Sequence, residues 1–165
     1  MEQLGVKIGS GYDVHRLVEG RQLILGGVDI DFHKGLDGHS DADVLVHAVC
    51  DAILGALGAG DIGDHFPDTD PRYKGISSMI LLERCKDLLD TKRYQILNMD
   101  CIVFAQAPKI SPYKEQMKQN MARVLKINSS LVNVKATTTE RLGFIGKEEG
   151  IAAQCTLLVN SPLPI

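Results

Sequence analysis

Two short stretches of the sequence carry groups that can hold a metal ion. In Gly11-Tyr12-Asp13-Val14-His15 a carboxylate and an imidazole stand two residues apart, which on a strand puts both on one face. Together they make half of a tetrahedral zinc site; an ion pair at a strand edge is the plain alternative. Asp43, His47 and Asp51 recur every fourth residue and form one polar stripe on an otherwise apolar helix. His47 can add a third ligand, with Asp51 one turn on to orient an imidazole, or it can be a solvated helix histidine. One Asp and two His with an open fourth position fit a catalytic zinc better than a structural one. The same ligands also suit a non-haem iron.

Other polar segments suit phosphates and sugars. His39-Ser40 stand at the start of the apolar helix, where free backbone amides and the helix dipole favour a phosphate; Ser40 also reads as its N-cap. Asp61-Ile62-Gly63 and Phe66-Pro67-Asp68-Thr69-Asp70 place carboxylates and a hydroxyl in one long loop, suited to sugar hydroxyls or a cation, or simply solvated. Thr137-Thr138-Thr139-Glu140 offers three hydroxyls and a carboxylate to phosphates and Mg²⁺, an ion that shares oxygen ligands with its substrate. Ala105-Gln106-Ala107-Pro108-Lys109 is a small, rigid loop whose backbone can read a flat ring. Gly9-Ser10-Gly11 lacks the rest of a dinucleotide fingerprint.

The elements that must position these groups follow from periodicity and caps. A strand is expected over 6–17 and an extended stretch over 22–32, broken at Gly26-Gly27. A helix is expected from an N-cap at Ser40, with Asp43 at capping-box spacing, to Leu57. A polar loop over 61–75, a helix over 77–91 and a strand over 94–106 come next. Ser111-Pro112 then opens a helix to Leu125. Val132, Val134 and Ala136 alternate along another strand, and 151–160 is the last. The order β-β-α-α-β-α-β-β predicts an α+β, two-layer sandwich, with an about four-stranded mixed sheet and helices on one face. No repeat or linker interrupts it, so one domain over 1–165 is expected.

Composition narrows the class. With 165 residues, 44% hydrophobic and 24% charged, the chain can build its core without a disulfide or structural metal. A net charge of -3 and dispersed Lys and Arg argue against nucleic acid, which needs a concentrated basic face. Aromatics at 5% and the lack of Trp leave no base-stacking platform. The first 11 residues hold no targeting pattern, and His47 and Asp51 interrupt the longest apolar stretch, so no membrane span is expected. Cys50, Cys85, Cys101 and Cys155 include no Cys-x-x-Cys pair and read as buried, reduced thiols of a cytoplasmic protein.

Taken in order, six stretches resemble the 2-C-methyl-D-erythritol 2,4-cyclodiphosphate synthases of the non-mevalonate isoprenoid pathway. They are Gly11 to His15, Gly38 to Ala48, Asp61 to Gly63, Phe66 to Pro71, Ala105 to Lys109 and Lys135 to Phe144. The resemblance implies a homotrimer with active sites between subunits. It implies Zn²⁺ on Asp13, His15 and His47, and a second ion, Mg²⁺ or Mn²⁺, on Glu140. His39 and Thr138 match the transition-state stabilisers. Asp61 and Gly63 match the groups that hold the erythritol, with Ile62, Phe66, Pro67, Asp68, Thr69 and Asp70 beside them. Ala105, Gln106, Ala107, Pro108, Lys109 and Ile110 match the cytosine pocket; Ser40, Thr137, Thr139, Phe144 and Lys147 complete the implied substrate contacts.

The implied substrate is 4-diphosphocytidyl-2-C-methyl-D-erythritol 2-phosphate. Its own 2-phosphate attacks the β-phosphorus, releasing CMP and closing a cyclic diphosphate, a phosphorus–oxygen lyase reaction. No enzyme nucleophile is needed, in keeping with the lack of a Ser-His or Cys-His arrangement. Many members carry Arg where this chain has Lys147, at a central cavity that can hold isoprenoid diphosphates, and only Arg grips phosphate bidentately. Two rival readings use the same residues: a metal-dependent phosphohydrolase, and a non-catalytic binder of isoprenoid diphosphate.

Overall fold

The computed structural model describes residues 5–161. Its strands are β1 (Gly5–Glu19), β2 (Leu23–Leu25), β3 (Val28–Ile30), β4 (Lys34–Leu36), β5 (Gln95–Phe104), β6 (Val132–Thr137) and β7 (Gly150–Ser161). Its helices are α1 (Val44–Leu57), α2 (Ile62–His65), α3 (Ser78–Thr91), α4 (Lys114–Leu125) and α5 (Gly143–Gly146). Residues 1–4, which open the segment read as free of a targeting pattern, and residues 162–165 lie outside the described residues.

The sheet runs β4-β1-β7-β5-β6. Only β5 and β6 pair in parallel, so the sheet is mixed. Four long strands are joined at the edge by the three-residue β4, one strand more than the periodicity shows. The stretch over 22–32 is a separate hairpin, β2 with β3, turned at Gly26 and Gly27. Both glycines have positive φ, 56° and 68°, the geometry of a turn that matches strand twist and that side chains resist.

Residues that pair across strands share a face. Gly9, Gly11 and Asp13 of β1 face Leu157, Cys155 and Ala153 of β7. Those in turn face Met99, Cys101 and Val103 of β5, which face Val132, Val134 and Ala136 of β6. This is the core side, and α1 lies on it at close range. A Cβ on Gly9 would fall 1.8 Å from the Ala52 carbonyl oxygen, and one on Gly11 2.0 Å from that of Ala48. The Gly-Ser-Gly run is therefore a seat for a helix. Sheet beneath and α3 beside leave α1 buried on most sides, which explains an apolar pattern too wide for one face. All four cysteines are free and buried. The other face of β1 presents Val6, Ile8, Tyr12 and Val14 at 43–67% exposure.

The start of α1 differs from the expectation. The helix begins at Val44 with Asp43 as N-cap, because Ala42 takes a left-handed φ of 58° and breaks the helical path from Ser40. The Ser40 hydroxyl instead accepts the Ala42 N–H at 3.1 Å. Asp43 is no part of a polar stripe either: it is fully buried, and its carboxylate accepts N–H groups from Gly26, Gly27 and Val46 at 2.7–3.1 Å. The loop over 61–75 is also structured, holding α2 under an Asp61–Asp64 capping box and a 3₁₀ turn at Pro71–Tyr73. A second 3₁₀ turn, Ser111–Tyr113, leads into α4. Among the described residues no helix is long and apolar enough to cross a membrane.

Candidate metal centre and substrate cleft

The row that seats α1 on Gly9 and Gly11 continues two residues at a time to Asp13 and His15. Because Ala48 rests on Gly11, the preceding residue, His47, comes down beside Asp13. The Asp13 Oδ2 lies 2.9 Å from His15 Nε2 and 3.0 Å from His47 Nδ1. The two imidazole nitrogens are 3.1 Å apart. Three donor atoms thus form a near-equilateral triangle. Ligands about 2.0 Å from a tetrahedral ion are about 3.3 Å from one another, so two nitrogens and one oxygen here fit Zn²⁺.

The outer nitrogens fix how the rings are protonated. His15 Nδ1 lies 2.5 Å from the Asp37 carbonyl oxygen, which can only accept, so Nδ1 carries the hydrogen and Nε2 offers its lone pair. Gly38 keeps its place because a Cβ there would crowd the His15 ring at 3.0 Å. Burial pushes the Asp13 carboxyl up, and the His15 and His47 rings that face it outweigh this, holding it well below the ordinary carboxylate range. Burial pulls the His15 imidazole down, and the Asp13 carboxylate beside it carries it above its ordinary value. Asp51, expected to orient an imidazole, instead accepts the Ile62 N–H at 2.8 Å and fixes the start of α2.

Around the triangle opens a cleft of about 460 Å³. It brings together Asp13, His15, His39, Ser40, His47, Ile62, Gly63, Phe66, Pro67 and Asp68, all expected, along with Gly38, Tyr73 and Leu81. His39 Nε2 sits 3.1 Å from the Asp70 carbonyl oxygen. Asp61, Thr69 and Asp70 do not line the cleft: Asp61 caps α2, and the Asp70 carboxylate is held by Arg72 at 2.6 Å. Arg21 has no signal in the spacing, yet it donates to the carbonyls of Gly38 and Ser40 at 3.0 and 2.9 Å and clamps the loop that carries His39.

The remaining expected residues gather elsewhere. Ala105 to Ser111, with Ala136, Thr137 and Thr138, line a slot of about 310 Å³, and the Ala107–Pro108 bond on its wall is cis. The Thr138 hydroxyl donates to Glu140 at 3.0 Å, that of Thr139 donates to the Leu142 carbonyl at 2.7 Å, and Gln106 accepts the Arg141 N–H at 3.1 Å. Phe144 and Lys147, at α5, line neither pocket. Asp13 pairs with Ala153, Ala153 with Val103 and Val103 with Ala136. Three strand spacings, about 14 Å, therefore separate the metal triangle from the strand that leads to Thr138. Among the described residues the two pockets share no lining residue.

A profile of the YgbB family matches residues 6–160. The chain belongs to the YgbB family. It is 63% identical over 155 residues to a 2-C-methyl-D-erythritol 2,4-cyclodiphosphate synthase of Pelotomaculum thermopropionicum, covering 94% of this chain and 96% of that one. It is 60% identical over 154 residues to a synthase of the same name from a Geobacillus species, covering 93% and 98%. Among solved structures it resembles a Plasmodium falciparum IspF in complex with CDP, at a TM-score of 0.84 and 39% identity, over 95% and 97% of the two chains. It also resembles the bifunctional IspDF of Campylobacter jejuni, at a TM-score of 0.89 and 44% identity, where it spans 43% of the longer chain. These solved structures share the mixed sheet and helices described above.

Proposed function

We propose that this YgbB-family chain, as a single domain, converts 4-diphosphocytidyl-2-C-methyl-D-erythritol 2-phosphate to 2-C-methyl-D-erythritol 2,4-cyclodiphosphate and CMP. The observation that carries this reading is the convergence of Asp13, His15 and His47 in one cleft with the His39–Ser40 loop, in a chain so close to synthases of that name. An oxygen of the 2-phosphate bonds to the β-phosphorus, the bond from that phosphorus to the bridging oxygen breaks, and CMP leaves with the electron pair.

When bound, Zn²⁺ at Asp13, His15 and His47 and Mg²⁺ or Mn²⁺ at Glu140 supply Lewis-acid neutralisation of phosphate charge. The chain's own residues hold and orient. His39 and Ser40 face the phosphates from the metal side, Ile62 and Gly63 take the erythritol, and Thr138 donates to the developing charge. The loop from Ala105 to Ile110 takes the cytosine. Holding the attacking phosphate in line with the leaving group is worth several kcal/mol, roughly 7–11 in the best-oriented cases.

The separation between the two pockets supports a homotrimer in which one subunit's metal half meets another's cytosine half. The apolar outward face of β1 supports burial against other subunits. Lys147 would then face the central cavity and any isoprenoid diphosphate there. The four reduced, buried thiols support a cytoplasmic location.

The test is ³¹P NMR of the purified protein with the substrate, Zn²⁺ and Mg²⁺. A cyclic diphosphate with one equivalent of CMP is the expected result. CMP with an open-chain product would make the protein a hydrolase, and no turnover with metal bound would make it a binding protein.

A further inference from the structure

We propose that Ser78 and Asp41 are positioning residues for the metal ligand His47, holding its imidazole in the tautomer that aims the Nδ1 lone pair at the ion. The inference rests on reading Asp13, His15 and His47 as a metal site, and it adds two residues that touch neither metal nor substrate.

The His47 ring lies between oxygens on both sides. Nδ1 faces Asp13 at 3.0 Å, while Nε2 lies 2.9 Å from the Ser78 hydroxyl and 3.1 Å from that of Ser40. Ser78 is the first residue of α3 and is fully buried. Its hydroxyl sits 2.5 Å from one oxygen of Asp41, and its backbone N–H donates to the other oxygen at 3.0 Å. An ionised carboxylate only accepts. The Ser78 hydrogen is therefore committed to Asp41, and its lone pairs face His47. Nε2 must supply the hydrogen in that contact, and the neutral ring, which carries only one, then leaves Nδ1 unprotonated toward Asp13 and His15.

Ser40 cannot set this direction. Its hydroxyl takes the Ala42 N–H at 3.1 Å, its hydrogen has no carboxylate to fix it, and the residue lines the cleft. Asp41 is itself anchored, since its backbone N–H donates to the Ile76 carbonyl at 2.9 Å. The relay thus ties the approach to α1, the start of α3 and the metal ligand into one directed chain. His15 gets the same service from a backbone carbonyl, which no substitution can remove; for His47 it comes from side chains, so it can be tested.

The test uses the full chain carrying Ser78→Ala, Asp41→Asn, or both. Zinc affinity is measured by competition with a chelator, and the His47 tautomer by ¹⁵N NMR of the metal-free protein above the imidazole pKa. Each single variant should bind zinc about 10–100-fold more weakly. The double variant should be no weaker than the worse single, because both act through one hydrogen. The parent should show His47 protonated at Nε2, with that preference lost in Ser78→Ala and His15 unchanged. Asp41→Asn keeps its volume and an acceptor for the Ser78 N–H, so it reads the relay even if Ser78→Ala loosens α3. Residues with a merely structural role would lower the melting temperature and leave the tautomer alone. A parent with His47 protonated at Nδ1, or zinc affinity indifferent to both substitutions, overturns the inference alone. A parent that binds no zinc overturns the metal reading and this inference with it.

Discussion

Gly11 lies so close to Ala48 that a Cβ would come within 2.0 Å of the Ala48 carbonyl oxygen. That approach sets the height of α1 above the sheet, and with it the distance from His47 to Asp13. Gly11→Ala must lift the helix, and overpacking of this kind costs roughly 1–3 kcal/mol or more. The expected outcome is a lower urea midpoint together with weakened zinc binding. Gly9→Ala meets Ala52 one turn further along and should cost similar stability with less effect on the metal. Equal metal loss in both variants would show that the seat acts only through global stability.

How much of this was legible depends on whether a period runs through the residues concerned. Asp13 and His15 share a face through the strand's period of two, and the helix pattern points His47 to a ligand role. Four-residue spacing puts Asp43 on the helix because it says nothing about where the helix begins; one left-handed residue, Ala42, makes it the cap instead. The glycine seat is silent in sequence because its reason is a backbone 37 residues on from Gly11 and 43 from Gly9. Ser78 and Asp41 meet across 37 positions with no local repeat. β4 and α2, at three and four residues, are too short to carry a period.

Asp13→Ala and His47→Ala each remove one corner of the donor triangle. Both proteins should fold, because the core cluster beneath the site is apolar and contains none of the three donor residues, and both should lose zinc and turnover. Metal content by native mass spectrometry, with circular dichroism as the folding check, decides it. Full zinc occupancy in either variant would show that the ligand set is wrong.

Arg21 grips the loop on either side of His39 through separate guanidinium nitrogens, which donate to the carbonyls of Gly38 and Ser40. Lys presents a single ammonium and cannot reproduce that fork. Hydrogen bonds from a charged donor are worth about 1.5–3 kcal/mol, and partial exposure lowers the figure here. Arg21→Lys should therefore raise KM several-fold through a loosened loop and leave zinc affinity near that of the parent. A change in zinc affinity with KM intact would place the clamp's effect on the metal side instead.

Asp43 connects pH to stability through the β2–β3 turn. Burial outweighs the N–H groups of Gly27, Val46 and Gly26 and pushes its carboxyl from 3.8 up to about 6. A carboxyl whose folded value is raised binds its proton more tightly in the folded chain. Its contribution to stability is thus fully present below pH 3.8, and it is lost as pH rises through about 6. At neutral pH the group is ionised, and its three donors and the N-terminus of α1 hold the charge. Asp43→Asn cannot titrate, and its amide hydrogens would face the Gly27 N–H, leaving a buried donor unpaired at a cost of about 1–3 kcal/mol. Urea denaturation of the metal-free proteins from pH 4 to 7 should therefore show the parent's advantage over Asp43→Asn shrinking as pH rises. An advantage that grows toward pH 7 would mean that the three N–H groups outweigh burial and hold the carboxyl below its ordinary value.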